Sequence, residues 1–374
     1  MNIIATCGTS ILTNAKYRLN LDLLKKDDDI NEIILKDLVG KKLSEREYGA
    51  EINSILNFIE KKETNIENLY LIISDTKDGK LAGKLIEKIL IDNNMANNIE
   101  IIIIDGLNSE KQHEFAKKGL RNLSKEICKI ISDNNLHEGN TNILPIGGFK
   151  AQIFIVGLLA QVYGIKAYYM FEGFNEIIEL PPLPISFDKQ FFINNIEFFL
   201  LLKSDEMVEK NEIEPLLKRE KKLRNLISEE KIDKNIYIEL SALGEIFYEK
   251  LALENKNNLP KDSTKTLEEK IHRFKKNEAH ARVVYEGARF QKFLNFLKKI
   301  EYVEKIIING NSQTNKGTQI FITKSGNDKE GRVLHCKFND KRGMLDLDIY
   351  LSENTEDKIN AALIDINERK LKFK

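Results

Sequence analysis

Apolar residues in the first half of the chain come in short blocks, each closed by small or polar residues. Asn2–Thr6 is a β-branched run that stops at Cys7, Gly8, Thr9 and Ser10. Leu69–Ile73 stops at Ser74, Asp75 and Thr76, and Ile99–Ile104 at Asp105 and Gly106. Asn142–Ile146 gives way to Gly147 and Gly148, and Lys166–Phe171 to Glu172 and Gly173. Longer stretches with helical periodicity lie between them, over Glu47–Lys61, Lys80–Asn93, Glu110–Asn134 and Phe149–Tyr163. Apolar strands alternating with helices predict a parallel sheet covered on both faces. Any ligand of such a sheet sits at the carboxyl ends of its strands, where these glycine and polar clusters fall.

The pattern changes after about residue 188. Residues 189–258 read as a mostly helical connector with charged runs at Glu206–Glu214 and Lys218–Lys222. Within it Ile236–Leu240, followed by Ser241 and an apolar helical run, has the strand-into-capped-helix order of a winged helix. Asn255–Ser263, with Pro260, reads as a linker. Beyond it Leu267–Ile300 predicts one or two basic helices, and Lys305–Asn309, Gln319–Lys324, Arg332–Phe338 and Leu345–Leu351 predict strands between glycine and asparagine turns. Thr355–Ile366 predicts a closing helix with acidic residues in its first turn. The expected fold class is α/β: a Rossmann-like parallel sheet over 1–188, a helical, winged-helix-like connector over 189–258, and a small α+β domain over 264–374.

Composition adds a polarity to this layout. The 374 residues are 42% hydrophobic and 31% charged, which fits a cored chain and not a disordered one. The 58 Lys and Arg cancel the 58 Asp and Glu, yet residues 261–374 carry 24 basic against 17 acidic residues, and 270–342 carry 17 against 7. A basic module joined to an acidic one predicts a phosphate-bearing partner for the basic part. Cys7, Cys128 and Cys336 share neither a metal-ligand spacing nor a disulfide framework. The longest apolar runs, Ile101–Ile104 and Phe198–Leu202 among them, fall far short of the roughly 20 residues of a membrane helix. The opening residues lack the basic stretch and apolar core of a signal peptide. The expectation is a cytoplasmic protein with no membrane partner, no metal and no other cofactor.

A strand that ends in Gly8, Thr9 and Ser10 offers backbone N–H groups and two hydroxyls to a phosphate or a ribose. Gly147 and Gly148 let a backbone approach a ligand closely, Phe149 opens the next helix, and Lys150 adds a charge in its first turn. Glycine turns at strand ends are equally an ordinary structural feature of such sheets. Ser74, Asp75, Thr76, Asp105 and Gly106 suit either the reading of adenine edges or the capping of helices. His113 and His137 are expected at the surface.

Four stretches, taken in order, carry a resemblance to a known family: Ile4-Ala5-Thr6-Cys7-Gly8-Thr9-Ser10-Ile11-Leu12-Thr13-Asn14, Pro145-Ile146-Gly147-Gly148-Phe149-Lys150-Ala151-Gln152, Tyr168–Phe174 and Pro181–Pro184. Together they resemble CRISPR-associated CARF domains over about half the chain. The resemblance implies a homodimeric sensor of cyclic oligoadenylate, with cyclic tetra-adenylate the expected allosteric activator. It implies a ligand-binding set of Cys7, Gly8, Thr9, Ser10, Asn14, Ser74, Asp75, Thr76, Gly147, Gly148, Phe149 and Lys150, with Glu51 a further candidate. Some such domains also open their ligand slowly, for which Ser10 and Lys150 would orient a ribose 2′-OH and neutralise the phosphate.

The layout as a whole is similar to CARF–RelE fusions, Phe290–Val303 and the strands after it being the most alike. That likeness implies a metal-independent ribonuclease acting on mRNA, with the ribosome as its setting, that leaves 2′,3′-cyclic phosphate ends. RNA supplies its own nucleophile, so cations on a sheet can align it and stabilise charge on the phosphate. The catalytic candidates are His335, Lys337, Arg332, Arg289, Arg282 and Lys324. Strand alternation puts Val333, His335 and Lys337 on one face and Arg332, Leu334, Cys336 and Phe338 on the other. His335 is expected to shuttle protons near neutral pH, or else to be a satisfied core histidine, while each of the other cations is equally accounted for as a solvated surface charge. Three alternatives stand beside this reading. An HEPN-type ribonuclease would use Arg273 and His280, which have six residues between them but Phe274 where a polar residue is usual. A restriction-like nuclease would use Asp346 and Asp348, which lack the lysine that should follow. A ligand-controlled transcription regulator would bind duplex DNA through 189–258.

Overall fold

In the computed structural model the described residues are 1–19, 27–108, 110–170, 176–204, 207–273, 283–310, 320–324, 333–340 and 343–371. They fall into two units: Met1–Phe187 with Glu209–Lys250, and Asp188–Val208 with Leu251–Lys374. The span 189–258 is therefore shared between them.

Unit 1 is built on a six-stranded sheet of order β3-β2-β1-β4-β5-β6. Its strands are β1 (Asn2–Thr6), β2 (Ile66–Ser74), β3 (Ala96–Ile104), β4 (Thr141–Leu144), β5 (Lys166–Tyr169) and β6 (Ile178–Leu180). The first five run parallel and β6 returns antiparallel to β5. β1 pairs on both sides, Ile4 lying between Tyr70 of β2 and Ile143 of β4. Strand order reverses there, so the connections leave β1 and β4 in opposite directions and open a crevice at their carboxyl ends.

Alternation along each strand divides the core in two. Ile3, Ala5, Leu69, Leu71 and Ile73 pack in a cluster with Ile11, Leu12, Ile34, Ile52, Ile55, Phe58, Leu85 and Ile86. These come from helices α1 (Ser10–Leu19), α2 (Asp27–Leu38), α3 (Gly49–Lys62) and α4 (Lys77–Asp92). Ile4, Tyr70, Ile72 and Ile143 pack on the opposite face with Leu123, Ile127, Ile155 and Leu159, from α6 (Leu120–Asp133) and α7 (Lys150–Tyr163). The helix expected over 110–134 is broken into the single turn α5 (Gln112–Glu114), a π turn at Phe115–Gly119, and α6. The cause is a close contact: a Cβ on Gly119 would lie 2.5 Å from the Gly106 carbonyl, and the wide turn lets the two backbones meet. α1, α2 and β6 are elements beyond those expected from the sequence.

In 209–250, helix α10 (Lys210–Arg219) is followed by the hairpin of β8 (Ile227–Ile232) and β9 (Asn235–Leu240) and by α11 (Ala242–Lys256), in which the division into units falls; β7 is Val208–Glu209. The expected strand and its helix are both present, and Ser241 Oγ accepts from Gly244 N–H at 3.2 Å at the helix start. An Arg121–Glu239 ion pair and a bond from Lys117 to the Glu229 carbonyl fasten this hairpin onto α6 and the π turn.

Unit 2 contains a five-stranded sheet of order β10-β11-β14-β13-β12. The strands are β10 (Ile271–Arg273), β11 (Val303–Gly310), β12 (Ile320–Lys324), β13 (Leu334–Asp340) and β14 (Gly343–Leu351), with helices α8 (Lys189–Asn194), α9 (Ile196–Ser204), α12 (Ala288–Lys298) and α13 (Glu356–Leu371). β11 to β14 pair antiparallel, as the four alternating segments and closing helix predicted. Leu334, Cys336, Phe338, Leu345, Leu347, Ile349, Ile306 and Ile308 form the buried face. Phe290 and Phe293 of α12 meet the Phe338 ring at centroid distances of 5.0 and 5.4 Å.

One expectation gives way here. Ile271–Arg273 is a strand parallel to β11, Ile271 opposite Ile306, where a helical run was expected over 267–300. Its anchor is Lys270, which is buried and donates to the carbonyl of Lys298, the last residue of α12, at 3.3 Å and to that of Ile300, just past it, at 3.0 Å. A cation at that negative helix end is favourable, and it draws the following residues onto the sheet edge. Burial holds the Lys270 pKa below its ordinary value. Arg273 thus lies on a strand, unlike the helical arginine of an HEPN site, while Phe274 and His280 lie outside the described residues. Among the described residues no helix is long and apolar enough to cross a membrane.

The aromatic stack carries a direct test. Phe338 is fully buried under two rings and the Arg289 guanidinium, whose centre lies 5.1 Å from its ring. Phe338→Ala is expected to destabilise unit 2 by about 3–5 kcal/mol, the usual range for truncating a buried aromatic. Urea unfolding read from the Phe and Tyr near-ultraviolet signal checks this, and a loss below about 1 kcal/mol would contradict the packing.

Candidate functional site

The crevice of unit 1 is made by two turns in contact. After β1 the Cys7 N–H still bonds to the Ile72 carbonyl (2.9 Å), and the chain bends at Gly8. From the neighbouring strand, Gly147 N–H donates to the Thr6 carbonyl (3.2 Å). A Cβ on Gly8 would lie 2.8 Å from Gly148 N, and one on Gly147 would lie 2.5 Å from Gly8 N. Neither fits, and Gly148 has φ +105°, outside the range of residues with side chains. These glycines are needed for the crossing itself, whatever binds above it.

α7 starts at Lys150, directly after this turn, so its first-turn N–H groups, which have no partner within the helix, and its positive dipole end lie at the carboxyl end of β4. Lys150 is exposed. Gln152 is fully buried; its Oε1 accepts from Phe149 N–H at 3.4 Å, and its Nε2 has no hydrogen-bond partner among the described residues. A Cβ on Gly148 would lie 2.3 Å from Gln152 Oε1, so this amide lies directly behind the turn.

Glu51 is the centre of the opposite wall. It is 1% exposed in the first turn of α3, and its Oε1 accepts from Gly8 N–H at 2.8 Å. Its Oε2 accepts from Ser10 Oγ at 2.5 Å, and Ser10 Oγ in turn accepts from Ala50 N–H at 2.8 Å. The Gly8 N–H and the Ser10 hydroxyl proton, both expected from the sequence to face a ligand, are thus taken up inside the protein. Cys7 is buried behind them, and burial first, then the Glu51 charge, push its thiol pKa well up, so it is a neutral wall residue and not a thiolate.

The outer candidates divide similarly. Thr9 stands half-buried in the β1 turn. Asn14 Nδ2 donates to the Arg46 carbonyl (2.7 Å) and fastens α1 to the turn at Arg46–Tyr48. Thr76 Oγ1 caps α4 by accepting from Gly79 N–H (3.0 Å) and contacts Ser74 Oγ (2.8 Å). Asp75 Oδ2 accepts from Gly106 N–H (3.0 Å), while its buried Oδ1 has no partner among the described residues. His113 is exposed, and His137 lies in a loop where its Nδ1 accepts from Gly139 N–H.

Unit 2 presents a second polar group on the sheet face opposite α12. The register places His335 between Thr323 and Asp348, Lys337 opposite Asp346, and Asn309 opposite Asp346. His335 Nδ1 lies 3.1 Å from Asp348 Oδ1, and its Nε2 lies 3.5 Å from Asp346 Oδ1. Asn309 Nδ2 donates to Asp348 Oδ2 at 3.0 Å. The Asp346 contact, then the Asp348 contact, raise the His335 pKa from 6.5 to about 9. This corrects the expected shuttle near neutral pH: His335 is an imidazolium there, held between two carboxylates. Lys337 shares this face and is exposed.

Arg289 and Lys324 do not join them. Arg289 donates to the Asn339 carbonyl (2.8 Å) and covers the Phe338 ring, on the buried face. Lys324 is paired with Leu334, also on the buried face, and lies 3.6 Å from Glu356 at the start of α13. Arg332 and Arg282 lie outside the described residues.

Residues 46–183 match the model of a family described as CRISPR-associated protein (Cas_APE2256). The matched segment includes Glu51, Ser74–Thr76 and Gly147–Lys150, and it supports a CRISPR-associated protein. No curated protein matches the chain.

The His335 arrangement has a signed pH dependence. A pKa raised from 6.5 to about 9 on folding gives stability that is fully present below pH 6.5 and is lost as pH rises through about 9. A nuclear magnetic resonance titration of the His335 ring is expected to centre near 9 and to fall back toward 6.5 in the Asp346→Asn, Asp348→Asn double variant. A midpoint near 6.5 in the unaltered protein would show that the carboxylates do not hold the ring.

Proposed function

We propose that the chain is a CRISPR-associated sensor and effector: unit 1 binds a cyclic oligoadenylate in the crevice, and unit 2 cuts RNA without a metal. The observation that carries the first half is the turn at the reversal of strand order. A helix start, whose first-turn N–H groups have no partner within the helix, and the exposed Lys150 ammonium stand together there, both suited to a phosphate, with the buried Gln152 amide, unpartnered at Nε2 among the described residues, directly behind them. The CRISPR-associated match over 46–183, which includes this turn, favours the type of cyclic nucleotide signal the sequence resemblance implies.

For the second half the support is the pairing of a charged imidazole with carboxylates on adjacent strands. In RNA cleavage the 2′-oxygen bonds to the neighbouring phosphorus as the P–O5′ bond breaks, one proton leaves the 2′-OH and one is delivered to the departing 5′-oxygen. Asp348 fixes the ring through Nδ1, and among the described residues Nε2 has the long 3.5 Å contact to Asp346 to exchange for the 5′-oxygen. His335 then acts as general acid, and Asp346 accepts the 2′ proton. Lys337 offsets the net negative charge of the two carboxylates and one imidazolium and stabilises the phosphate oxygens. The products carry a 2′,3′-cyclic phosphate and a 5′-hydroxyl. The regulator alternative gains little from the fold, because the 227–240 hairpin carries Glu229, Glu230 and Glu239 and is fastened on α6 and the π turn.

The test is cleavage of mRNA, free and on translating ribosomes, by the purified protein in EDTA with and without cyclic tetra-adenylate. Ligand-dependent cutting to cyclic-phosphate ends is expected, declining as pH rises through about 9. His335→Ala is expected to lower the rate by roughly 10²–10⁴, the usual worth of a general acid, with ligand affinity unchanged. Ligand binding without cutting on either substrate would retain the sensor and remove the nuclease.

A further inference from the structure

The two walls of the crevice differ in what they leave to a ligand. A serine hydroxyl has one donor hydrogen and two acceptor lone pairs. In Ser10 the hydrogen is given to Glu51 Oε2 and one lone pair takes the Ala50 N–H, which leaves a single acceptor position among the described residues. The adjacent Gly8 N–H is also committed to Glu51, so the buried carboxylate removes both donors from this wall and adds negative charge behind it. A phosphate oxygen there would face an acceptor and an anion, which is unfavourable. The other wall presents donors, the first turn of α7 and the exposed Lys150, and directly behind them lies the buried Gln152 amide, whose Nε2 lacks a partner among the described residues.

The walls are also immediately adjacent, since Gly8 and Gly148 approach too closely for a Cβ between them. A ligand bridging them must therefore carry a hydrogen-bond donor beside an anion. A ribonucleotide phosphodiester has this pair on neighbouring carbons, the 2′-hydroxyl and the 3′-phosphate. A 2′-deoxynucleotide has the phosphate alone.

We propose that Glu51 is a specificity-determining residue: by turning Ser10 into an acceptor-only group, it makes the crevice select ribose over deoxyribose. This rests on the crevice being the cyclic oligoadenylate site. Glu51 acts through Ser10 and Gly8 and is a positioning residue. A glutamine in its place would donate its amide hydrogen to Ser10 Oγ, fill the remaining lone pair, and release the serine hydrogen to point outward. Ser10 would then be a donor, and the advantage of the 2′-hydroxyl would vanish.

Binding of cyclic tetra-adenylate and of its all-2′-deoxy counterpart to the full chain, followed by calorimetry, tests this. The unaltered protein is expected to bind the deoxy ring about tenfold more weakly, the scale of one or two net hydrogen bonds. In Glu51→Gln the ratio is expected to fall below about threefold, and Ser10→Ala, which keeps the Gly8 bond to Glu51, is expected to lose the ratio as well. A merely structural role for Glu51 would weaken both rings equally and leave the ratio unchanged, which overturns the inference. Equal binding of both rings by the unaltered protein overturns it too, with the sensor reading intact. Binding of neither ring removes the sensor reading and this inference with it.

Discussion

The contact between the β1 and β4 turns is the constraint on which the rest of unit 1 depends. Two strands that pair side by side but connect in opposite directions must bring their exits together, and here the backbones of Gly8 and Gly147–Gly148 meet with no room for a side chain. Glu51 sits buried against that junction. A buried carboxylate is costly unless its oxygens are satisfied, and the Gly8 N–H and Ser10 hydroxyl satisfy them from one loop. The turn after β1 is therefore held in one shape, and the first turn of α7 starts beside it. The fold and the proposed recognition surface depend on the same few atoms.

Much of this architecture is legible in the sequence because each buried strand ends in its own turn residues. The apolar run to Thr6 gives way to Cys7 and Gly8 and the run to Ile146 to Gly147 and Gly148, so the strand ends and the candidate crevice can be read locally. What Glu51 does cannot be read in that way. Its partners Gly8 and Ser10 are about forty positions away in the chain, and an acidic residue early in a helix reads as an ordinary dipole partner. The same limit explains Ser10, whose hydroxyl looks free until its two partners are in place. α1 is hidden for another reason: Ile11, Leu12 and Ala15 have helical spacing but follow directly on a polar run that reads as loop.

In unit 2, alternation identifies the strands and the face that His335 shares with Lys337, since period-two burial is a local property. It does not show that β14 sets Asp346 and Asp348 against that histidine, which is what moves its titration to about 9. A surplus of basic residues likewise does not say which side of a sheet each occupies. Arg289 and Lys324 belong to the buried face, where one stacks on Phe338 and the other approaches Glu356. Lys270 gives the clearest case of long-range override, because its bonds to carbonyls beyond the end of α12 turn the residues after it into a strand. A ligand that binds unit 1 can control chemistry in unit 2 only by favouring one arrangement of the protein over another, so affinity alone does not make a switch.

The junction of the β1 and β4 turns is the proposed ligand site. A crystal structure of the protein with cyclic tetra-adenylate tests it most directly. A ligand at this junction is expected to place a phosphate at the start of α7, within hydrogen-bond distance of its first-turn N–H groups or Lys150, and a ribose hydroxyl on Ser10 Oγ. A ring bound elsewhere, or one whose phosphate lies against Gly8 and Ser10, would contradict it.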